Sequence, residues 1–244
     1  VLVVGSSRTS ADELVRNVAI SCQAVFGWHR LTLIQVARSV SSWASQETAA
    51  SVGHLAQKAI LSRAVDALRA SSGLGRFERV SDAPGFVQAA RDAIEEAGLQ
   101  SVPNDVLSQE APDFSALARE YRSQLAEAGM VDRVDVIRNA YTALSAGAFT
   151  HLLIGLPTLF LDVPLRFAEE VSLVRGLAER ATGALATVQV GDDRSLAGFT
   201  DALAVSPEEG RSESDAGELA DMRYRLFDST ASGETADLQE TGLD

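Results

Sequence analysis

The chain opens Val1-Leu2-Val3-Val4-Gly5-Ser6-Ser7-Arg8-Thr9-Ser10-Ala11-Asp12-Glu13-Leu14. Four apolar residues end at a glycine, and a polar turn leads into a helix-periodic run. A buried strand, a tight loop and a helix in that order form the setting of a phosphate-binding loop, G-x-x-x-x-G-K-[ST]. Counted from Gly5, the second glycine falls at position 10, the lysine at 11 and the Mg²⁺-binding hydroxyl at 12. The chain carries Ser10, Ala11 and Asp12 there. Lys58 is the only lysine in the chain, so no neighbour supplies the missing ammonium. The stretch predicts the architecture of a P-loop NTPase and argues against its chemistry.

The replacements have a physical direction. A phosphate loop works because free backbone N–H groups and the positive end of a helix attract an anion. Ser10-Ala11-Asp12-Glu13 reads instead as S-x-x-E, a capping box in which Ser10 takes the Glu13 N–H and Glu13 reaches back. Asp12 and Glu13 place negative charge where phosphate would sit, and Arg8 offsets part of it. No cofactor is expected.

Composition bounds the class. The 244 residues are 46% hydrophobic, enough for one large α/β domain or two smaller ones. Val1 stands where a start methionine would be, so the chain is expected to be an excerpt of a longer protein. No signal peptide and no uninterrupted apolar run of membrane-spanning length is visible. The single cysteine, Cys22, excludes an internal disulfide and is expected to be a small buried hydrophobe on the first helix; the compartment is expected to be the cytoplasm. Net charge is −13, and residues 206–244 hold eleven acidic residues against three arginines. Neither part shows the basic stripe that backbone binding to DNA needs, so tight DNA binding by this segment alone is not expected.

Periodicity organises the rest. A strand is expected over 1–5, a helix over 11–25, a strand-like run at 25–28 and a helix over 30–44. Helices follow at 48–71, from Pro84-Gly85-Phe86 to Gly98, at 113–128 and at 132–145, with a loop over 100–112. The pattern then returns to a strand at His151-Leu152-Leu153-Ile154-Gly155, a helix over 164–181 opened by Pro164, and a strand over 184–190. The reading is an α/β core with a parallel sheet interrupted by an all-helical insertion. Residues 1–45 form its first part, 46–147 the insertion and 148–205 the second part. Residues 206–244 form an acidic tail or linker in which only Met222–Phe227 is expected to dock.

In this order the pieces resemble the N-terminal helicase-like region of AddB/RexB-type subunits of bacterial helicase–nucleases, PD-(D/E)XK nuclease family proteins related to UvrD-like superfamily 1 helicases. Three places carry the resemblance: the Gly5–Asp12 loop; Phe26-Gly27-Trp28-His29-Arg30-Leu31, similar to a T-F-H-R-L-A segment before a helix; and Leu152-Leu153-Ile154-Gly155-Leu156-Pro157-Thr158-Leu159-Phe160, similar to a Walker B strand and its continuation. The Pro84-Gly85-Phe86 helix and Asp132-Arg133-Val134-Asp135-Val136-Ile137 are similar to that family's helical insertion. The likeness covers residues 1–200 and implies a RecA-like P-loop core. It also implies a role in DNA repair and recombination, a motor or nuclease partner subunit, and DNA held by the full-length protein near Trp28, His29 and Arg30.

The departures are as informative. Gly5, Ser6, Ser7, Arg8, Thr9, Ser10, Ala11 and Asp12 form a vestigial Walker A. Gly155 and Leu156 stand where active relatives carry paired acids that hold Mg²⁺. Both halves of the ATP site are expected to be lost, leaving a non-catalytic scaffold that cradles DNA. The nuclease core's lysine is absent too, since Lys58 lies in a helix. The alternative is a P-loop-fold interaction or regulatory domain that does not touch DNA; a third reading, a working NTPase, needs Arg8 to replace the lysine and an acidic metal ligand. His29, His54 and His151 have no metal-ligand partners at suitable spacing. The pairs Glu95/Glu96, Glu169/Glu170 and Asp192/Asp193 are expected on solvated surface, and no G-x-S-x-G motif supports a serine hydrolase.

Overall fold

The computed structural model describes residues 1–22, 26–44, 50–146 and 150–208. The acidic tail expectations, including Met222–Phe227, lie outside the described residues. Four short parallel strands form the central sheet: β1 (Leu2–Gly5), β2 (His29–Thr32), β5 (Thr158–Leu161) and β6 (Ala184–Thr187), in the order β2-β1-β5-β6. The protein is an α/β fold with a parallel central sheet. β1 is central because it is apolar along its whole length, with Leu2, Val3 and Val4 fully buried, as a strand covered on both faces must be. Its register pairs Gly5 with Thr32 on one side and with Leu161 on the other.

Alternation assigns the two sheet faces. Leu2, Val4, Leu31 and Phe160 point into the main core, with α2 (Leu33–Ala44), α7 (Arg133–Ser145), α8 (Ala168–Arg180) and α9 (Asp193–Leu203) packed on that side. Val3 points to the other face, where Ala11 and Val15 of α1 (Arg8–Cys22) cover it. The faces are separated because the chain steps from β1 to β2 in one direction and from β5 to β6 in the other, and right-handed crossovers then place α1 and α8 on opposite sides.

Between β2 and β5 lies the helical segment. α3 (His54–Ala70), α4 (Phe86–Leu99), α5 (Asn104–Glu110) and α6 (Pro112–Glu127) follow one another, with a 3-10 turn at Gly75–Phe77. α3, α4 and α6 enclose a second core containing Leu61, Ile94, Leu117 and Tyr121. A two-residue parallel pair, β3 (Ala50–Ser51) with β4 (Met130–Val131), joins the two ends of this unit. α7, grouped by sequence with the insertion, contributes Val136, Ile137 and Ala140 to the main core instead.

Several sequence expectations are corrected. His151–Gly155 is a turn and not a strand: the Ile154 N–H bonds the His151 carbonyl at 2.9 Å, and Gly155 sits at φ 83. The strand starts only after Pro157, whose carbonyl accepts from the Leu2 N–H at 2.8 Å. The strand expected at 25–28 is displaced to β2, so α2 begins at Leu33. Residues 184–190 yield only the four-residue β6, and the loop expected over 100–112 contains α5. Pro164 lies ahead of α8 and does not open it. Cys22 is exposed, because only Ala11 and Val15 of α1 are fully inside.

Glu169 and Glu170 are buried, not solvated. Arg133 reaches Glu95 at 3.1 Å and Glu170 at 2.7 Å; Arg138 reaches Glu169 at 2.6 Å and the Gly98 carbonyl at 2.7 Å. The Ser101 hydroxyl donates to Glu169 at 2.7 Å, and the Arg166 N–H donates to Glu170 at 3.0 Å. Each buried carboxylate thus has charged and neutral donors, which burial of an ion requires. The network ties α4 of the helical unit to α7 and α8.

Asp132 caps α7 at the junction where the chain re-enters the main core. Its Oδ1 accepts from the Asp135 N–H at 3.0 Å, and Asp135 reaches back to the Asp132 N–H at 3.4 Å. Burial, with the Asp135 charge adding to it, pushes the Asp132 carboxyl up to about 6. A raised acid pKa means that the native state holds the proton more tightly than the unfolded chain. The resulting stability is present below about pH 4 and is lost as pH rises through 6, by about 3 kcal/mol at most. Asp132→Asn keeps a capping oxygen and has no such proton. Urea unfolding at pH 4.5 and 7.5 should show the variant gaining stability relative to the parent at the higher pH; parallel pH profiles would contradict the assignment.

Candidate functional site

The place to look for a site is fixed by strand order. In open parallel sheets, ligands bind outside the carboxyl ends of the strands where the connections diverge. Here that point lies between β1 and β5, at Gly5–Ser10 on one side and Asp162 on the other.

Gly5 ends β1 and α1 begins at Arg8, so only Ser6 and Ser7 connect them. A Cβ on Gly5 would meet the Ser7 carbonyl oxygen at 2.6 Å and Ser10 Oγ at 2.9 Å, so the turn is closed to any residue with a side chain. The N-cap is Ser7 and not Ser10. The Ser10 N–H donates to Ser7 Oγ at 3.1 Å, and the Ser7 N–H donates to Ser10 Oγ at 3.2 Å. This is a reciprocal capping box one turn earlier than the Ser10/Glu13 box expected from sequence. The helix starts earlier because the loop is shorter than the phosphate pattern assumes. Ser10 Oγ also donates to the Ser7 carbonyl at 2.8 Å. Glu13 pairs with Arg16 at 2.6 Å instead.

The remaining positions set against the Walker A pattern are spoken for in the same way. Ala11, where the lysine would stand, is fully buried against Val3 beneath α1. Asp12 lies 3.4 Å from Arg30 and 4.0 Å from Arg8. Arg8 and Thr9 are exposed in the first turn of α1. Two N–H groups at this helix start are thus taken by serine oxygens, and the nearest cations are matched by a carboxylate.

Gly155 and Leu156, expected at the end of a Walker B strand, lie before β5 at the opposite end of the sheet. The residue that follows the strand is Asp162, with φ 47. It stands beside the loop, since the Ser6 N–H bonds the Leu161 carbonyl at 3.1 Å. Asp162 is a carboxylate in the position that sequence reasoning assigned to Gly155 and Leu156. The signal was available as Thr158-Leu159-Phe160-Leu161-Asp162, an apolar run ending in an acid, but the preceding Leu152–Ile154 run masked it. Its Oδ1 accepts from the Thr187 hydroxyl at 2.9 Å, and its N–H donates to the Thr187 carbonyl at 3.1 Å. The side chain therefore pins β6 to β5.

Trp28, His29 and Arg30 do not share a surface. Trp28 packs partly buried against the Val3–Ala11–Val15 cluster. His29 and Arg30 are successive strand residues and face opposite sides of the sheet. Arg30 is exposed and paired with Asp12. Elsewhere, His151 packs edge-on to Trp43 at 5.8 Å between ring centres. Its Nδ1 accepts from the Leu153 N–H at 3.2 Å, and Nε2 lies 3.2 Å from Ser39 Oγ. Desolvation holds the ring's pKa below the ordinary histidine value. No group of three or more His, Cys, Asp or Glu side chains among the described residues could hold a metal ion. No protein-family model matches the chain, and no curated protein is detectably similar to it in sequence.

The geometry moves the capping box from Ser10/Glu13 to Ser7/Ser10. Ser7→Ala removes the N-cap acceptor and should cost about 1 kcal/mol, whereas Glu13→Ala removes only an exposed pair worth under about 0.5 kcal/mol. Chemical denaturation of both variants checks this. A larger loss for Glu13→Ala would restore the later capping box.

Proposed function

We propose that this chain is a non-catalytic, helicase-like module with a degenerate P-loop, RecA-like core. It serves in the bacterial cytoplasm as a scaffold within a DNA-repair helicase–nuclease of the AddB type. The observation that carries the loss of catalysis is the Ser7–Ser10 cap. A two-residue turn, sealed by its own hydroxyls and followed by a buried alanine, has no cradle for a triphosphate and no ammonium to bind one. Asp162 alone does not restore a site, because an acid without phosphate ligands opposite it has no nucleotide-bound Mg²⁺ to complete. The helical unit, fastened to the core by partly exposed arginines paired with Glu95 and with the buried Glu169 and Glu170, suits a scaffold that presents a surface to a motor or nuclease subunit and to the DNA passing between them.

A second reading is a P-loop-fold interaction or regulatory domain without DNA binding. The pairing of Arg30 with Asp12, together with the net charge of −13, favours it over direct contact between this chain and DNA.

Fluorescence anisotropy with a labelled forked duplex separates the two. If the chain cradles DNA by itself, it should bind in low salt with an affinity that falls as salt rises. Absence of binding in low salt would remove the DNA role from this segment and leave the interaction reading.

A further inference from the structure

One face of the sheet is only half covered. On the α1 side, alternation presents Val3 from β1, Leu159 and Leu161 from β5, and Leu185 from β6. α1 contacts β1 and β2 and seals Val3. Over β5 and β6 no helix lies on this face among the described residues, since α8 and α9 are both on the other side. Leu159 and Leu161 are partly exposed, and Leu185 is 63% exposed. Parallel sheets are ordinarily buried on both faces, and adjacent leucines on neighbouring strands make a contiguous apolar patch. Among the described residues β6 is also an edge strand, with β5 as its one sheet neighbour.

We propose that the bare half of this face is covered by the C-terminal segment Leu219–Phe227 of the same chain. Three observations select that occupant. The chain leaves α9 at the β6 edge of the sheet: Leu203, Ala204 and Val205 share a cleft with Ala178 of α8 and with Ala184, the first residue of β6, so the tail reaches the patch by rounding that edge from the α8 side. The connection is long enough. The eleven residues from Glu208 to Leu219 can span about 35 Å, while four strands are about 15 Å across. Finally, the tail concentrates its large apolar side chains in one place. Leu219, Met222, Tyr224, Leu226 and Phe227 are five of the seven between 209 and 244, and the flanking residues are mostly acidic, polar or small. This cluster is the part of the tail with enough apolar surface to cover three leucines. Docking there would complete the second layer of the sheet from within the chain.

The test uses the full chain with Cys22→Ser and a single reporter thiol. Leu185→Cys on the patch is compared with Leu55→Cys, an 84% exposed position on α3. Covered by the tail, the thiol at 185 should react with a maleimide about tenfold more slowly than that at 55. It should regain the full rate when Met222, Tyr224 and Leu226 are replaced by Asp. Equal rates at 185 and 55 in the parent would overturn the proposal. So would protection that survives the Asp replacements, including protection that grows with protein concentration and marks a second copy as the occupant. Hydrogen exchange on the unaltered chain gives an independent reading. Leu219–Phe227 should exchange more slowly than 229–244, and equal exchange would also overturn the assignment.

Discussion

The structure depends on β1 being held from both sides. Its four residues, Leu2–Gly5, pair with residues 29–32, which are close in sequence, and with residues 158–161, which are some 150 positions away. The first pairing is a local crossover. The second brings the two ends of a long loop together, and the entropy of closing it must be offset by contacts that form only when the intervening helices are in place. Leu2 and Val4 supply one side of that balance, packed with Phe160, Ile137 and Leu173 in a single core. α7 is the hinge of the arrangement, since it belongs by sequence to the helical segment and by packing to the sheet.

Charge completes what the apolar core begins. Arg133 and Arg138 project from α7 to Glu95, Glu169 and Glu170, and fix α4 against α8. Removing either arginine leaves a buried carboxylate, Glu170 or Glu169, without its charged partner, which is destabilising. The same logic operates at the sheet edge, where Asp162 holds Thr187, and at the start of α1, where two serines satisfy one another. At each of these places, polar groups that could have faced a ligand are used to join structural elements.

This explains which parts of the molecule were legible in the sequence. The α/β class was readable because Leu2–Gly5 is short, apolar and glycine-ended, and because helix-periodic runs fill the middle of the chain. Helices with a clear start signal, such as Asp132 before α7, were placed to within a residue. The position of β5 was not readable, because Leu152–Ile154 and Thr158–Leu161 are equally apolar. Only the turn at Gly155 and the imino residue Pro157 decide between them. The burial of Glu169 and Glu170 was invisible for a different reason: their arginine partners are more than thirty residues away. The true N-cap was hidden by two serines three apart, either of which fits the local rule. Trp28, His29 and Arg30 looked like a cluster in sequence, but a strand distributes successive residues to opposite faces.

The turn between β1 and α1 is two residues long and closed by its own side chains, which bears directly on the proposal that this chain binds no nucleotide. Calorimetric titration of Mg²⁺–ATP into the chain tests this most directly. The Ser7–Ser10 cap and the buried Ala11 predict no binding heat up to millimolar nucleotide. Saturable binding in the micromolar range would contradict it: the turn would then have to open around a triphosphate, with Arg8 and Asp162 serving the nucleotide and its metal.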